Sequence, residues 1–255
     1  MRTTKIEWTD RTWNPVTGCT KQSAGCAHCY AETMAKRLHA MGLKKYENGF
    51  KVTLHPDDLD EPIKWRKGSN IFVCSMSDLF HPDVPFEFID KVMQTIEQTP
   101  QHRYQLLTKR AERMAEYFET REVPCNAWLG VTVECKQTIS RIESLRKIKD
   151  ATVRFLSCEP LLEDLGDMDL KGIHWMIVGG ESGPLARPMQ EEWVVNLRQL
   201  AKRHHVSFFF KQWGTWGQDG VKRSKHANGK KLKGKVVQQM PNKTIWSFNS
   251  TFLTT

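Results

Sequence analysis

Short apolar runs alternate with amphipathic stretches through the middle of the chain. The runs that predict buried strands are residues 70–75, 104–107, 128–133, 153–157, 175–178 and 206–210. Between them, apolar positions recur every three or four residues, which predicts helices at residues 85–98, 110–120, 135–149 and 190–204. Strands that alternate with helices form a parallel sheet covered on both faces. We therefore predict an α/β protein whose sheet is either open or curled into a barrel.

The first 65 residues follow a less regular pattern. Residues 6–10 predict a short strand, and residues 50–54 alternate in the same way. Residues 30–41 predict a helix, because their apolar positions are spaced by three or four. Residues 57–65 predict a second helix that begins at acidic residues.

Residues 217–234 differ from the rest of the chain, because they combine basic residues and glycines with almost no apolar residue. This composition predicts a mobile basic loop or an extended hairpin. Residues 236–253 regain apolar character, and we expect them to fold back onto the body of the protein. We therefore divide the chain into an α/β unit at residues 1–216 and a basic extension at residues 217–255 that packs on it.

The chain of 255 residues carries a formal net charge of +9. Such an excess of lysine and arginine favours a polyanionic partner, with nucleic acid or a nucleotide first, although it also serves solubility alone. The N-terminus lacks the apolar core of a signal peptide, and no run approaches eighteen apolar residues. We therefore expect a cytoplasmic monomer that makes no contact with a membrane.

Three of the seven cysteines lie in one loop, where Cys19, Cys26 and Cys29 have the spacing C-x6-C-x2-C. The other four are scattered, which is not typical of a secreted disulfide framework. Three thiolates can hold three irons of a cubane cluster and leave the fourth iron open to a small molecule. A structural zinc site is the alternative, and it needs a fourth ligand such as His28 or a distant cysteine.

Polar residues follow each of the six predicted strands, at the edge where ligands bind in parallel α/β folds. Glu134, Glu159 and Glu181 point to a common centre if the sheet curls. Burying three carboxylates there costs free energy unless they bind cations or hydrogen-bond donors. Lys109 and Arg110 suit a carboxylate or a phosphate. Polar residues also end strands without any functional role. The full set of strand-end candidates is Ser75, Ser77, Asp78, Lys109, Arg110, Glu134, Glu159, Gly179, Gly180, Glu181, Lys211 and Trp213.

Aromatic and basic residues near the C-terminal extension are candidates for contact with nucleic acid. Trp213 and Trp216 flank a glycine and precede the basic stretch, so they either stack on a base or pack within the protein. The residues that we assign to substrate or nucleic acid are Lys109, Arg110, Lys211, Trp213, Lys222, Arg223, Lys230 and Lys231.

The cysteine loop resembles a known signature. Asn14-Pro15, Gly18-Cys19, Cys26 and Cys29-Tyr30-Ala31 resemble the N-P-x-x-G-C…C-x-x-C-Y-A signature of radical S-adenosylmethionine (SAM) enzymes related to spore photoproduct lyase. Further blocks resemble a phage-encoded family of three-cysteine proteins, and they lie at residues 5–9, 13–19, 107–110, 128–134, 157–161, 178–183 and 208–214. The sequence departs from the usual C-x3-C-x2-C spacing by a longer gap between the first two cysteines.

This resemblance implies a partial (β/α)6 TIM-like barrel with a [4Fe–4S] cluster on Cys19, Cys26 and Cys29. An external electron donor would reduce the cluster, which would cleave SAM to methionine and a 5′-deoxyadenosyl radical. The resemblance implies SAM contacts at the strand ends, with Tyr30 beside the adenine. Ser75, Ser77 and Asp78 would lie near the methionine end, Glu134 and Arg141 near the ribose and carboxylate, and Glu159, Gly179, Gly180 and Glu181 near adenine or substrate.

We expect the protein to be an enzyme that acts on a nucleic acid base or a nucleotide, in DNA repair or in phage-type modification. A radical SAM enzyme that acts on a protein or a small molecule is one alternative. A nucleic-acid-binding protein with a structural zinc is the other. The sequence assigns no catalytic side chain beyond the ligands of the cofactors.

Overall fold

The computed structural model describes residues 4–241. Its strands are β1 (Arg11–Trp13), β2 (Val16–Thr17), β3 (Thr53–Leu54), β4 (Asn70–Val73), β5 (Arg103–Thr108), β6 (Ala127–Thr132), β7 (Val153–Cys158), β8 (Trp175–Gly179), β9 (Ser207–Gln212), β10 (Lys231–Leu232) and β11 (Lys235–Val236). Its helices are α1 (Tyr30–Ala40), α2 (Phe86–Glu97), α3 (Ala111–Tyr117), α4 (Arg141–Lys147), α5 (Glu191–Arg203) and α6 (Lys225–Asn228). No helix within this range is long and apolar enough to cross a bilayer.

Seven strands form one parallel sheet in the order β1-β4-β5-β6-β7-β8-β9. Each strand of this sheet pairs with the strand of the same sheet that follows it in sequence. Val73 therefore lies opposite Leu106, and Leu106 lies opposite Leu129. Helices α2 to α5 connect successive strands of this sheet. The sheet curls into a half-barrel whose edge strands are β1 and β9. The predicted α/β class and partial TIM-like barrel are therefore confirmed, with seven strands in place of six.

The additional strand is the first one, and it lies later in the chain than predicted. Residues 6–10 form turns, whereas Arg11–Trp13 pairs in parallel with β4, with Arg11 opposite Ile71. The predicted helix at residues 57–65 is also corrected. That segment contains two 3-10 turns, Pro56–Asp58 and Pro62–Lys64. Pro62 lacks the amide proton that a continuous helix would donate to the Asp58 carbonyl, and this carbonyl accepts from Trp13 Nε1 over 2.8 Å instead.

An aromatic cluster fills the inner side of the half-barrel near the first halves of the strands. Its buried members are Trp8, Phe72, Trp128, Val153, Phe155, Trp175, Ile177 and Phe209. Gly130 on β6 makes room for this cluster, because an added Cβ would overlap the ring of Phe155. This cluster fills the interior near the amino ends of the strands, and the polar residues lie at their carboxyl ends.

The described part of the basic extension contacts β9 and the loop that follows it. Strands β10 and β11 form a hairpin, and Leu232 between its basic residues is fully buried. Trp213 donates from Nε1 to the Lys231 carbonyl over 2.9 Å, and Phe210 donates from its amide to the Val237 carbonyl over 2.7 Å. The remainder of the stretch that we expect to fold back, residues 242–253, lies outside the described residues.

Candidate functional site

The cysteine loop leaves β1 and is fixed to the carboxyl end of β4. The side-chain oxygen of Asn14 accepts hydrogen bonds from Ser75 Oγ at 3.1 Å and from the Met76 amide at 3.0 Å. The amide of Gly18 donates to the Met76 carbonyl over 3.1 Å. Gly18 has a φ of +81°, and an added Cβ would overlap the Lys51 carbonyl, so only glycine fits here.

The three clustered cysteines are partly exposed and carry free thiols. Cys26 ends the 3-10 turn Ala24–Cys26, and Cys29 immediately precedes α1. The C-x2-C half of the motif therefore occupies the entry to a helix, as the sequence predicts. Within residues 4–241, no group of three or more His, Cys, Asp and Glu side chains is arranged to hold a metal ion.

A buried ion pair reaches the first cysteine from the ends of β4 and β5. Arg110 Nη1 lies 3.0 Å from Asp78 Oδ2, and both side chains are less than a tenth exposed. The same nitrogen lies 3.5 Å from Cys19 Sγ, and Nη2 donates to the Thr20 carbonyl over 3.1 Å. Burial first, and the Asp78 carboxylate second, raise the pKa of the Cys19 thiol, while Arg110 acts in the opposite direction.

A second buried ion pair holds the loop from the end of β6. Glu134 is fully buried, and its Oε2 lies 2.9 Å from Arg141 Nη1. Its other oxygen accepts hydrogen bonds from the Ser23 hydroxyl and, over 3.4 Å, from the Gly25 amide. An added Cβ at Gly25 would lie 3.1 Å from this carboxylate. The loop therefore needs a small residue at position 25.

A third pair reaches the loop from the segment after β8. Arg187 Nη2 lies 2.6 Å from Glu181 Oε1, and Arg187 Nε lies 2.9 Å from Glu181 Oε2. Arg187 also donates from Nη2 to the Ala24 carbonyl over 3.0 Å. Burial alone would raise the pKa of Glu181, but the hydrogen bonds from Arg187 outweigh it and lower that pKa. Arg187 is not among the residues predicted from sequence, because it lies beyond the Gly179-Gly180 turn in a segment with no strand or helix pattern that would place it at the site.

These three pairs converge on residues 20–25, the long gap between the first two cysteines. We call them the loop clamp, and its members are Asp78–Arg110, Glu134–Arg141 and Glu181–Arg187. Two of the three carboxylates predicted to face a common centre, Glu134 and Glu181, therefore meet at the cysteine loop. The structure places Arg141 against Glu134, and Glu134 contacts the loop at Ser23, while the predicted contacts of both residues with SAM stay a prediction.

The third predicted carboxylate faces the interior of the half-barrel. Glu159 is two residues beyond Ser157 and four beyond Phe155, so alternation along β7 places it on the side of the aromatic cluster. Its Oε1 lies 3.1 Å from Lys211 Nζ. An added Cβ at Gly179 would overlap this carboxylate. The polar pair therefore forms the upper lining of the interior, above the aromatic cluster.

Gly180 and the polar residues Ser75 and Ser77 after β4 make contacts within the protein. An added Cβ at Gly180 would overlap the Trp213 carbonyl, so this glycine permits a close approach of protein backbone. The Tyr30 hydroxyl donates to the Ser75 carbonyl. Ser77 Oγ donates to the Val16 carbonyl over 2.8 Å. These contacts fix the walls around the cysteine loop.

Two residues that we assign to nucleic acid lie in the interior. Trp213 is 2% exposed and packs its ring on Phe210 with centroids 5.0 Å apart, which matches the packing alternative and leaves no face for a base. Arg110 is 6% exposed and is committed to the loop clamp. Neither side chain is placed to meet a polymer at the surface, and the assignment of these two residues to substrate stays a prediction.

The remaining residues of that set are accessible to different degrees. Lys211 pairs with Glu159, Lys222 Nζ donates to the Pro184 carbonyl over 2.7 Å, Arg223 pairs with Asp219 and Lys230 pairs with Glu7. Lys231 is exposed on β10. Lys109, next to Arg110, lines a cavity of ≈ 270 Å³ beside the loop clamp, together with Ser23 and Arg141.

The fold and the site thus define a parallel half-barrel with a clamped three-cysteine loop at its carboxyl edge. Residues 3–241 match the family described as "Protein of unknown function (DUF5131)", and the chain belongs to that family. No curated protein matches the chain.

Among solved structures, the chain is similar in fold to spore photoproduct lyase. The lyase complexed with dinucleoside spore photoproduct is 14% identical with a TM-score of 0.45, covering 74% of this chain and 59% of that chain. A cysteine-to-serine mutant is 15% identical with a TM-score of 0.47, covering 80% and 65%. A double mutant with bound AdoMet and dinucleoside spore photoproduct is 14% identical with a TM-score of 0.45, covering 75% and 61%. The chain spans less than two thirds of the length of these structures.

Proposed function

We propose that this protein is a radical SAM enzyme whose Cys19, Cys26 and Cys29 hold a [4Fe–4S] cluster. The observation that carries the proposal is the placement of three free, partly exposed thiols on one loop that is fixed at the ligand-binding edge of a parallel half-barrel. Such a cluster needs one thiolate on each of three irons, which differs from three ligands on a single ion. The donor set of soft thiolates fits iron and sulfide.

When bound, the cluster supplies the electron that cleaves SAM to methionine and a 5′-deoxyadenosyl radical, after reduction by an external donor. The protein's own residues contribute position and exclusion of water. The loop clamp holds residues 20–25, and the aromatic cluster closes the interior from below. Glu159 and Lys211 offer an acceptor and a donor to a polar group that enters the half-barrel.

We propose a nucleic acid base or a nucleotide as the substrate. The net charge of +9 favours a polyanion, and Lys231, Lys233 and Lys235 are exposed on the β10–β11 hairpin. This hairpin is fixed to the loop after β9, at the carboxyl edge of the sheet, because Trp213 Nε1 donates to the Lys231 carbonyl. A phosphate backbone held there would bring a base to the opening of the half-barrel.

Anaerobic reconstitution with iron and sulfide tests the proposal. The wild-type protein should bind about four irons and four sulfides per chain and, with SAM and dithionite, release 5′-deoxyadenosine. C19A, C26A and C29A should each lose iron and product, whereas C125A, which changes an exposed cysteine outside the loop, should retain both. Zinc at one ion per chain, without iron or sulfide, would overturn the proposal in favour of a structural metal site.

A further inference from the structure

Arg110 is the member of the loop clamp that reaches a cysteine sulfur. Its Nη1 lies 3.5 Å from Cys19 Sγ, which is within hydrogen-bonding distance of sulfur. Arg141 reaches the loop through Glu134, and Arg187 reaches it through the Ala24 carbonyl. All three arginines therefore help to hold the loop, but it is Arg110 that places a hydrogen-bond donor against a cysteine sulfur.

The guanidinium of Arg110 is held in one orientation. Asp78 accepts hydrogen bonds from Thr108 Oγ1 at 2.7 Å, from the Lys109 amide at 3.1 Å and from the Phe80 amide at 3.0 Å, so the carboxylate itself is fixed. On the other side, Arg110 Nη2 donates to Thr20 Oγ1 over 3.0 Å. Because Asp78 holds Nη1 and Thr20 holds Nη2, the second N–H of Nη1 stays directed at the Cys19 sulfur.

We infer that Arg110 is a positioning residue that raises the reduction potential of the cluster by donating to the Cys19 thiolate. The inference rests on the proposed function. Reduction adds a negative charge to the cluster, and a hydrogen-bond donor on a ligating sulfur stabilises the reduced state more than the oxidised one. Because Arg110 is only 6% exposed, solvent screens its interaction with the partly exposed Cys19 less than it would screen a pair at the open surface.

An EPR-monitored redox titration of the reconstituted protein tests this inference. R110Q should lower the midpoint potential so that, at a fixed applied potential, the ratio of reduced to oxidised cluster falls about tenfold, which is about 59 mV for one electron. R110K should lower it in the same direction, because lysine donates from a single nitrogen, whereas Arg110 meets Asp78 and Cys19 from Nη1 and Thr20 from Nη2. T20V is the matched control, since Arg110 Nη2 loses the Thr20 hydroxyl but keeps the Thr20 carbonyl as its anchor, so the donor to sulfur stays in place and the potential should equal that of wild type.

A wild-type midpoint potential in R110Q with full cluster occupancy would overturn the inference, as would an equal shift in T20V. If R110Q fails to retain a cluster, R110K decides, and an unchanged potential in R110K overturns the inference. Wild-type protein that binds no cluster overturns both this inference and the proposed function. Wild-type protein that binds a cluster and releases 5′-deoxyadenosine, beside variants of unchanged potential, overturns this inference alone.

Discussion

Arg187 Nη2 donates to the Ala24 carbonyl over 3.0 Å, although the two residues are 163 positions apart in the chain. The contact ties the segment after β8 to the longer gap between the first two cysteines. Glu134 and Arg110 reach the same gap from the ends of β6 and β5. Residues 20–25, which make the spacing between Cys19 and Cys26 longer than usual, are therefore held by contacts from three different strand ends of the half-barrel.

Glu134→Gln is expected to reduce the free energy of unfolding by about 3 kcal/mol, because it leaves the Arg141 guanidinium buried without a counter-charge. Glu134 is fully buried and Arg141 is 6% exposed, so solvent offsets only a small part of the lost counter-charge. Urea unfolding of the protein without a cluster, monitored by circular dichroism, measures the change.

Asp167→Asn supplies the matched control for this prediction. It neutralises the partner of Arg203 in an ion pair whose side chains are 80% and 65% exposed, so its stability should equal that of wild type. Equal effects of the two substitutions would contradict a role for burial in the Glu134–Arg141 pair.

The buried strands of the sheet are predictable from sequence because helices cover them and their runs are almost continuously apolar. β8 (Trp175–Gly179) is buried at every position, and a run of this kind has few alternatives in a soluble protein. β1 is different. Arg11–Trp13 is short and begins with a basic residue, and it is a strand because β4 lies beside it and because the Cys74 amide donates to the Trp13 carbonyl. Its position depends on tertiary pairing that local sequence does not encode.

The sequence predicts where the cysteines and the carboxylates of the candidate site lie, but it does not predict which cation pairs with each carboxylate. The cysteine spacing and the carboxylates after the strands mark the carboxyl edge, since that edge follows from the parallel fold. Which cation meets each carboxylate depends on loops that cross the edge. Glu159 meets Lys211 from 52 positions away, while Glu181 meets Arg187 from six positions away. Neither choice follows from spacing or composition.

Gly18→Ala is expected to prevent the cysteine loop from closing onto residues 50–51. A matched comparison is available, because Gly42 has a similar φ of +72° but has no atom within 4 Å of an added Cβ. Gly42→Ala should lower the free energy of unfolding by about 1 kcal/mol, which is the cost of the left-handed backbone. Gly18→Ala should cost about 1–3 kcal/mol more, because the new Cβ overlaps the Lys51 carbonyl.

Urea unfolding of both glycine variants separates backbone conformation from steric overlap. Equal losses of stability in the two variants would mean that the contact with the Lys51 carbonyl relaxes without cost. In that case Gly18 would be required for its φ angle alone.

Lowering the pH from about 7 to about 5 is expected to destabilise the protein without a cluster. Burial is the main cause that lowers the pKa of His102 and His174 below 6.5. The unfolded chain therefore binds more protons than the folded protein below about pH 6.5, and stability falls as the pH falls. Each histidine contributes a slope of at most about 1.4 kcal/mol per pH unit.

His174→Asn should flatten this profile, since it removes one of the titrating groups while an amide oxygen can still accept from the Arg154 backbone. Unfolding free energies at several pH values between 5 and 8 give the slope for both proteins. A wild-type stability that rises as the pH falls through this range would contradict the prediction.

Replacing Lys231, Lys233 and Lys235 together by glutamine is expected to weaken binding of single-stranded DNA and to reduce its salt dependence. Each phosphate contact contributes about 0.7 to the slope of log K against log salt, so losing three contacts should reduce that slope by about 2. The matched control replaces by glutamine Lys91, Lys147 and Lys149, which are also exposed but lie on and after helices outside the sheet. Fluorescence anisotropy over a series of salt concentrations measures both slopes. If the two triple variants lose affinity equally, net charge alone attracts the DNA and the β10–β11 hairpin is not its binding surface.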